Sequence, residues 1–471
     1  MGRSKTDSFV AEIPLRASSK QIRKALARFE AGRQIYNACL GEALKRRNQM
    51  VRSKIYRKAL AMSAGTEEER KARAEAFKEA REKHGFTEYS LHAYVAGIRN
   101  SWLGEHIDAN TAQTLATRAY NAVNKTLTGE AKRVRFKRYG EPGTLEGKTN
   151  KQGIRWRENC LVWGDLVLPA IIDEKDPVIR HALSCPVKFV RLVKKTIRGR
   201  IRLYAQLVCE GRPCRKEKNC VTPGKTGLDI GPSTLAEAGD REASLHLFCR
   251  ELEDVQREIR VLQRRMDRQR RANNPDNYNP DGTVKKGRLQ WKNSKRYLEA
   301  RARLAELCRR QAEHRKSLHG RLANDLLRRG NVFYLEDVSY KAFQKSFGGS
   351  VNFRAPGEFV SRLRRKSAAA GGGVVEFPTT STALSQMCQC GRKEKKRLSA
   401  RWHRCECGVT AQRDLYSAFL ARHVGPDAEG SWRLDCSSAS EEWPRMKPLL
   451  DEAVEKAKRS YFYIAPASFG I

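Results

Sequence analysis

The chain has 471 residues, with 93 Lys and Arg against 53 Asp and Glu, a formal net charge of +40. Such an excess is larger than solubility needs and calls for a polyanionic partner, expected to be nucleic acid. There is no apolar run of about 18 residues and no signal-peptide pattern, so membrane spanning and secretion are not expected. The opening MGRSKTDSF superficially fits a myristoylation start, and nothing else points to a membrane. The length implies two to four folded units.

FVAEIPLR (9–16) alternates like a strand. From Ser18 to about Ala131 the texture is helical, Ala-rich and charged, with apolar residues repeating at three and four and a capping-type Thr before EEERKARAEAFKEAREK. From about 132 to 222 the period changes to that of strands: GIRWRENCLVWGDLVLPA, then VKFVRLVKKTIRGRIRLYAQLVCEG, whose RGR reads as a hairpin turn. Here Arg155, Trp156 and Arg157 interleave aromatic and basic side chains, a mixture suited to backbone contact and base stacking, although a bland sheet edge would look similar.

KTGLDIGPSTLAEAGD holds a short apolar strand carrying Asp229, and ASLHLFCR follows as a second strand. Two helical stretches run from Glu251 to Arg329, interrupted by NNPDNYNPDGTVKKG; one face is apolar and the other dense with arginine. In that interruption Lys285 and Lys286, with Arg288 just after it, are candidate nucleic-acid contacts. GNVFYLEDVSY is a further strand with Glu336 near its end, GEFVSRLRRKSAAA a helix, GGGVVEFPTT a strand, and DLYSAFLARHV a helix opened by Asp414.

Carboxylates at such places are costly to bury unless paired or bound to metal. Asp229, Glu336 and Asp414 are hard oxygen ligands suited to Mg²⁺. Two such ions about 3.5–4 Å apart would stabilise the attacking and leaving oxygens of an in-line displacement. The bland reading of Asp414 is a helix cap. Of thirteen cysteines, eight between Cys39 and Cys308 are scattered, and most of these read as small core residues of a reducing cytosol. Cys388, Cys390, Cys405 and Cys407 form two Cys-x-Cys pairs, and Cys436 is assigned no role.

GLDIGPSTLA, FYLEDVS and AQRDLYSAFLA resemble the three split segments of a RuvC-type, RNase H-like nuclease. The cysteine pairs just before the third segment make the chain similar to TnpB, the transposon-encoded RNA-guided DNA nuclease, and to the compact type V CRISPR effectors. VRFKRYGE, the basic helical hairpin and GEFVSRLRRKSAAAGGGVVEF extend the resemblance over roughly residues 9–424. Two departures stand out: the family's Cys-x-x-Cys-Gly pairs are shortened to CQCG and CECG, and Tyr416 occupies the usual Asn place. Four thiolates at symmetrical spacing still suit one tetrahedral structural Zn²⁺, with His403 read as a solvated residue and less readily as a substitute ligand.

The resemblance implies an α+β multidomain protein. A wedge β-barrel of oligonucleotide-binding type (1–16 and 132–222) receives a helical recognition domain (17–131). A RuvC-like nuclease (223–386, basic hairpin 251–329; third segment 411–424) receives a zinc knuckle (387–410), and the tail 425–471 has no assigned role. It implies an RNA-guided DNA endonuclease with guide RNA and double-stranded target DNA as partners. Asp229, Glu336 and Asp414 would hold two Mg²⁺ ions, with Mn²⁺ substituting, and the protein would act in the cytoplasm of a prokaryote, at the nucleoid. Alternatives are a nucleic-acid-binding regulator without cleavage, or an RNase H-like transposase or resolvase.

Overall fold

The computed structural model describes residues 7–397 and 400–461. Residues 1–6 of the expected barrel, 398–399 of the knuckle and 462–471 of the tail therefore lie outside the described residues. The chain forms two compact units, 1–215 and 216–471.

In the first unit β1 (Ser8–Pro14) leads into α1 (Ser19–Arg52), α2 (Lys54–Ala61), α3 (Glu67–Lys83), α4 (Glu88–Arg99), α5 (Leu103–His106) and α6 (Ala109–Leu127). Capping boxes start α1 (Ser18 with Gln21) and α3 (Thr66 with Glu69), so the helix starts follow from local chemistry. Strands β2 (Thr144–Glu146), β3 (Arg155–Arg157), β4 (Cys160–Trp163) and β5 (Leu166–Pro169) follow, then α7 (Pro177–Ser184), β6 (Val187–Ile197) and β7 (Arg200–Glu210). The RGR hairpin turns on Arg198 and Gly199, both at positive φ (49° and 72°), the left-handed pair that matches the twist of two antiparallel strands.

These strands make one sheet of order β1-β7-β6-β2 and another of order β3-β4-β5. A bridge between Leu15 and Ala170 joins them, and among the described residues no ladder closes the expected barrel. Helices and sheets share one apolar core, with Phe29, Ile35 and Leu115 from helices and Leu145, Leu161, Leu192 and Leu207 from strands.

The second unit is built on a mixed sheet of β8 (Lys225–Ile230), β9 (Thr234–Ala238), β10 (Ala243–Leu247), β11 (Val332–Asp337) and β12 (Gly373–Pro378) in the order β10-β9-β8-β11-β12. Its first three strands are antiparallel, while β11 runs parallel to β8 and β12. Between β10 and β11 lie α8 (Gln256–Asn273) and α9 (Lys295–Arg329). Then come α10 (Tyr340–Arg354), α11 (Pro356–Ala369) and, after β12, α12 (Thr379–Thr382). The hairpin β13 (Trp402–Arg404) and β14 (Thr410–Gln412) precedes α13 (Arg413–Ala421), β15 (Val424–Pro426), β16 (Trp432–Leu434) and α14 (Cys436–Tyr461).

Because strand side chains alternate, the sheet is covered on both faces. Leu228, Ile230, Phe333 and Leu335 pack with Leu326 of α9 and Phe359 and Leu363 of α11. Ala236, Ala238, Leu245 and Phe377 pack with Leu415, Phe419 and the α14 residues Met446, Leu450 and Val454. The C-terminal segment thus forms part of the core of its unit. Among the described residues no helix is long and apolar enough to cross a membrane.

Candidate active site and metal-binding knuckle

Strand register sets the first two acids. Leu228 of β8 pairs with Leu335 of β11, so Asp229 and Glu336 follow side by side and turn to the face opposite those leucines. Helix α13 crosses the same face. Gly227, two residues before Asp229 and of the same parity, lies directly under it: a Cβ there would stand 1.8 Å from the Ala418 carbonyl oxygen. One turn before Ala418 is Asp414. The glycine therefore lets the helix lie close enough to bring its first turn to Asp229.

A cleft lined by Asp229, Glu336, Tyr340, Leu384 and Ser417 results. Glu336 accepts hydrogen bonds from Thr382 Oγ1 (3.0 Å) and the Leu384 N–H (3.1 Å). Asp414, only 9% exposed, lies 3.5 Å from Arg413 Nε and 3.8 Å from Arg401 Nη1. The cap of α13 is Gln412, whose Oε1 accepts from the Leu415 N–H at 2.7 Å. Asp414 is thus not the cap of its helix.

The electrostatics are those of acids short of cations. Asp229 keeps some solvent contact, yet loss of hydration, then the charges of Asp414 and Glu336, push its pKa well above the ordinary aspartate range. Burial also raises Glu336, against the Leu384 and Thr382 hydrogen bonds that favour its ionised form. Burial raises Tyr340, beside Asp229, as well. A divalent cation would relieve this repulsion, and the residues fit such a group in kind. Among the described residues, however, the three carboxylates do not form a close-set ligand group.

The cysteines do form one. The Sγ atoms of Cys388, Cys390, Cys405 and Cys407 all lie within 4.8 Å of one another, with Cys388–Cys407 at 3.5 Å and Cys390–Cys405 at 3.6 Å. Zn–S bonds of about 2.3 Å imply tetrahedron edges of about 3.8 Å, so the set fits Zn²⁺. Each Cys-x-Cys-Gly is the same tight turn: the Gly391 N–H bonds the Cys388 carbonyl (2.9 Å), and the Gly408 N–H bonds the Cys405 carbonyl (3.0 Å). Both glycines take positive φ (85° and 91°), which a side chain would resist. The shortened spacing therefore still aims both sulfurs of a pair inward. The backbone N–H of Cys407 is the main cause that lowers Cys405 to about 7, whereas burial holds Cys388 up at about 12.

Two residue readings are corrected. His403 is not solvated: it is 2% exposed, its ring 4.4 Å from that of Tyr416, and burial lowers its pKa to about 4. Trp156 is not a stacking surface either, being 9% exposed within the core of the first unit. Its neighbour Arg157 donates to the Trp156 and Asn150 carbonyls (2.8 and 2.9 Å), and Arg155 is half-buried. Lys285, Lys286 and Arg288 are exposed. Of the eight scattered cysteines, Cys39, Cys209 and Cys249 are core residues, and Cys220 and Cys308 are exposed. The residue that sequence reasoning missed is Tyr416, whose hydroxyl lies 3.5 Å from Cys388 Sγ. Its substitution for the usual Asn was the available signal.

Residues 357–420 match the family described as Cas12f1-like, TNB domain. Comparison with curated proteins returned no match. One solved structure, "Cryo-EM structure of the Cas12f1-sgRNA-target DNA complex", is 12% identical, covers 88% of this chain and 98% of its own, and has a TM-score of 0.44. Another, "Cryo-EM structure of CRISPR-Cas12f Ternary Complex", is 13% identical over 90% of this chain and 100% of its own, with a TM-score of 0.29. The similarity to the Cas12f1-like family is thus carried by the segment 357–420, which holds nearly all of α11, β12, the four cysteines and α13 up to Leu420.

Proposed function

We propose that the protein is an RNA-guided DNA endonuclease whose RuvC-type site consists of Asp229, Glu336 and Asp414. The observation that carries the reading is the arrangement of these acids: adjacent places on β8 and β11 and the first turn of the facing α13, where burial first, and then the charges of the other two, raise the pKa of Asp229. A mixed sheet covered by helices on both faces suits an RNase H-like nuclease. The Cas12f1-like segment supports a type V effector over a stand-alone resolvase or a transposase.

Divalent ions held by the three carboxylates would stabilise the charge that develops on the phosphate oxygens during hydrolysis. The chain supplies the remainder. Thr382 and the Leu384 amide fix the Glu336 carboxylate, and Arg413 and Arg401 flank Asp414. Tyr340 and Leu384 line the cleft beside the acids. In α8, seven of 18 residues are arginine and only Ile259 and Leu262 are buried, a surface suited to phosphate backbones. Guide RNA and double-stranded target DNA are the proposed partners, with pairing to the guide supplying target sequence and the protein reading a short flanking motif.

The test is retargeting. Protein expressed with its native locus should purify with an RNA of discrete length, and a changed guide segment should redirect Mg²⁺-dependent cutting to the matching plasmid. Protein that cuts without RNA, or purifies without it, overturns the guided reading.

A further inference from the structure

Tyr416 sits where the knuckle meets the helix that carries Asp414. It is 1% exposed, yet its hydroxyl is fully engaged: it accepts from the Gln389 N–H at 3.0 Å and lies 3.5 Å from Cys388 Sγ and 3.2 Å from Gln389 Oε1. Its ring packs, tilted by 31°, with its centroid 4.4 Å from that of His403 of β13, and meets Trp443 of α14 edge-on at 5.3 Å. One side chain thus grips both halves of the knuckle, the turn at Cys388 and the strand before Cys405, from a position two residues beyond Asp414. Resting on the reading of the cysteines as a zinc site and of Asp414 as part of the nuclease, we propose that Tyr416 is a positioning residue that couples the metal state of the knuckle to α13.

The physical basis is hydrogen-bond accounting. A phenol has one proton to give, and here two acceptors compete for it, Cys388 Sγ and Gln389 Oε1. A metal-bound thiolate is the stronger acceptor and draws that proton, as partners behind a ligand commonly orient it. Loss of the metal removes this preference and frees the turn at Cys388, so α13 loses its tether at the point where Asp414 is held.

Tyr416→Phe keeps the ring and removes only the hydroxyl. In the full chain it should release zinc to a chromophoric chelator about tenfold faster than wild type, the low end of what such outer partners contribute. Hydrogen exchange supplies a readout that mere packing would not move. In wild type, stripping zinc should speed exchange of the Leu415–Ala421 amides while α1 is unchanged; in Tyr416→Phe these amides should exchange alike with and without zinc. Zinc release within twofold of wild type, or α13 exchange that ignores zinc in wild type, overturns the coupling. The wild-type exchange comparison decides the matter even if the variant does not fold. A wild-type protein holding less than half an equivalent of zinc overturns the zinc reading and this inference together, a result distinct from a loaded site that ignores Tyr416.

Discussion

Replacing Gly227 by Ala tests how the acids are brought together. The added Cβ would stand 1.8 Å from the Ala418 carbonyl oxygen and 2.9 Å from both the Ala418 carbonyl carbon and Arg422 Cγ. Ordinary contact begins near 3.4 Å, so α13 must retreat from β8 by about 1.6 Å, and its backbone cannot swing aside as a flexible side chain would. Overpacking of this kind costs about 1–3 kcal/mol. At about 2–4 °C per kcal/mol for a unit of this size, the melting point should fall by roughly 2–12 °C. The functional effect should be larger: a shift of about 1 Å in a reacting group costs on the order of 100-fold. Guided plasmid cleavage is therefore expected to drop at least about 100-fold. Guide and target binding, governed by the basic surface, should hold within about threefold. Gly320→Ala in α9, where no atom lies within 4 Å of the new Cβ, is the control and should be neutral or stabilising by up to about 1 kcal/mol. Cleavage by Gly227→Ala within threefold of wild type would refute the claim that close contact of β8 and α13 sets the site.

Two other outcomes follow from the structure. His319, fully buried against Phe248 and bonded through Nε2 to the Arg354 carbonyl at 2.9 Å, has its pKa lowered by burial from 6.5 to about 4. Below pH 6.5 the unfolded chain takes up a proton that the folded chain refuses, so stability is complete above 6.5 and declines as pH falls to about 4. His319→Phe should flatten the pH dependence of thermal melting in that window; an unchanged slope contradicts the assignment. Trp156→Ala should destabilise the first unit by about 3–5 kcal/mol, as loss of a core indole does. A variant that melts like wild type but loses RNA affinity would instead restore a stacking role for Trp156.

Much of this architecture was legible in residue pattern. The RGR hairpin, the capped start of α3, and the strand placing of Asp229 and Glu336 all depend on local chemistry, which sequence displays directly. The single apolar stretch read around Asp229 separates into β8 and β9 at the Gly-Pro turn, with β10 completing the antiparallel run. The tail is assigned no element from residue pattern; its helix α14 runs through Pro444 and Pro448, residues that ordinarily argue against a helix interior. Trp156 and His403 were misread for a common reason: an amphipathic ring looks the same in sequence whether its partner is a nucleobase, water or the protein's own core. The cap question at Asp414 could not be decided locally either, because Gln412 is an uncommon cap and its role appears only in three dimensions.

The most direct measurement of the central claim separates binding from cutting in Asp229→Ala, Glu336→Ala and Asp414→Asn. Each guide-loaded variant would be assayed for target affinity and for Mg²⁺-dependent cleavage of the same DNA. Loss of groups that support charge stabilisation worth several kcal/mol should lower cleavage by orders of magnitude. Target affinity should stay near that of wild type, because the proposed phosphate contacts come from basic side chains such as those of α8 and not from the carboxylates. Any one of the three variants cutting at the wild-type rate while remaining folded would contradict the assignment of the site.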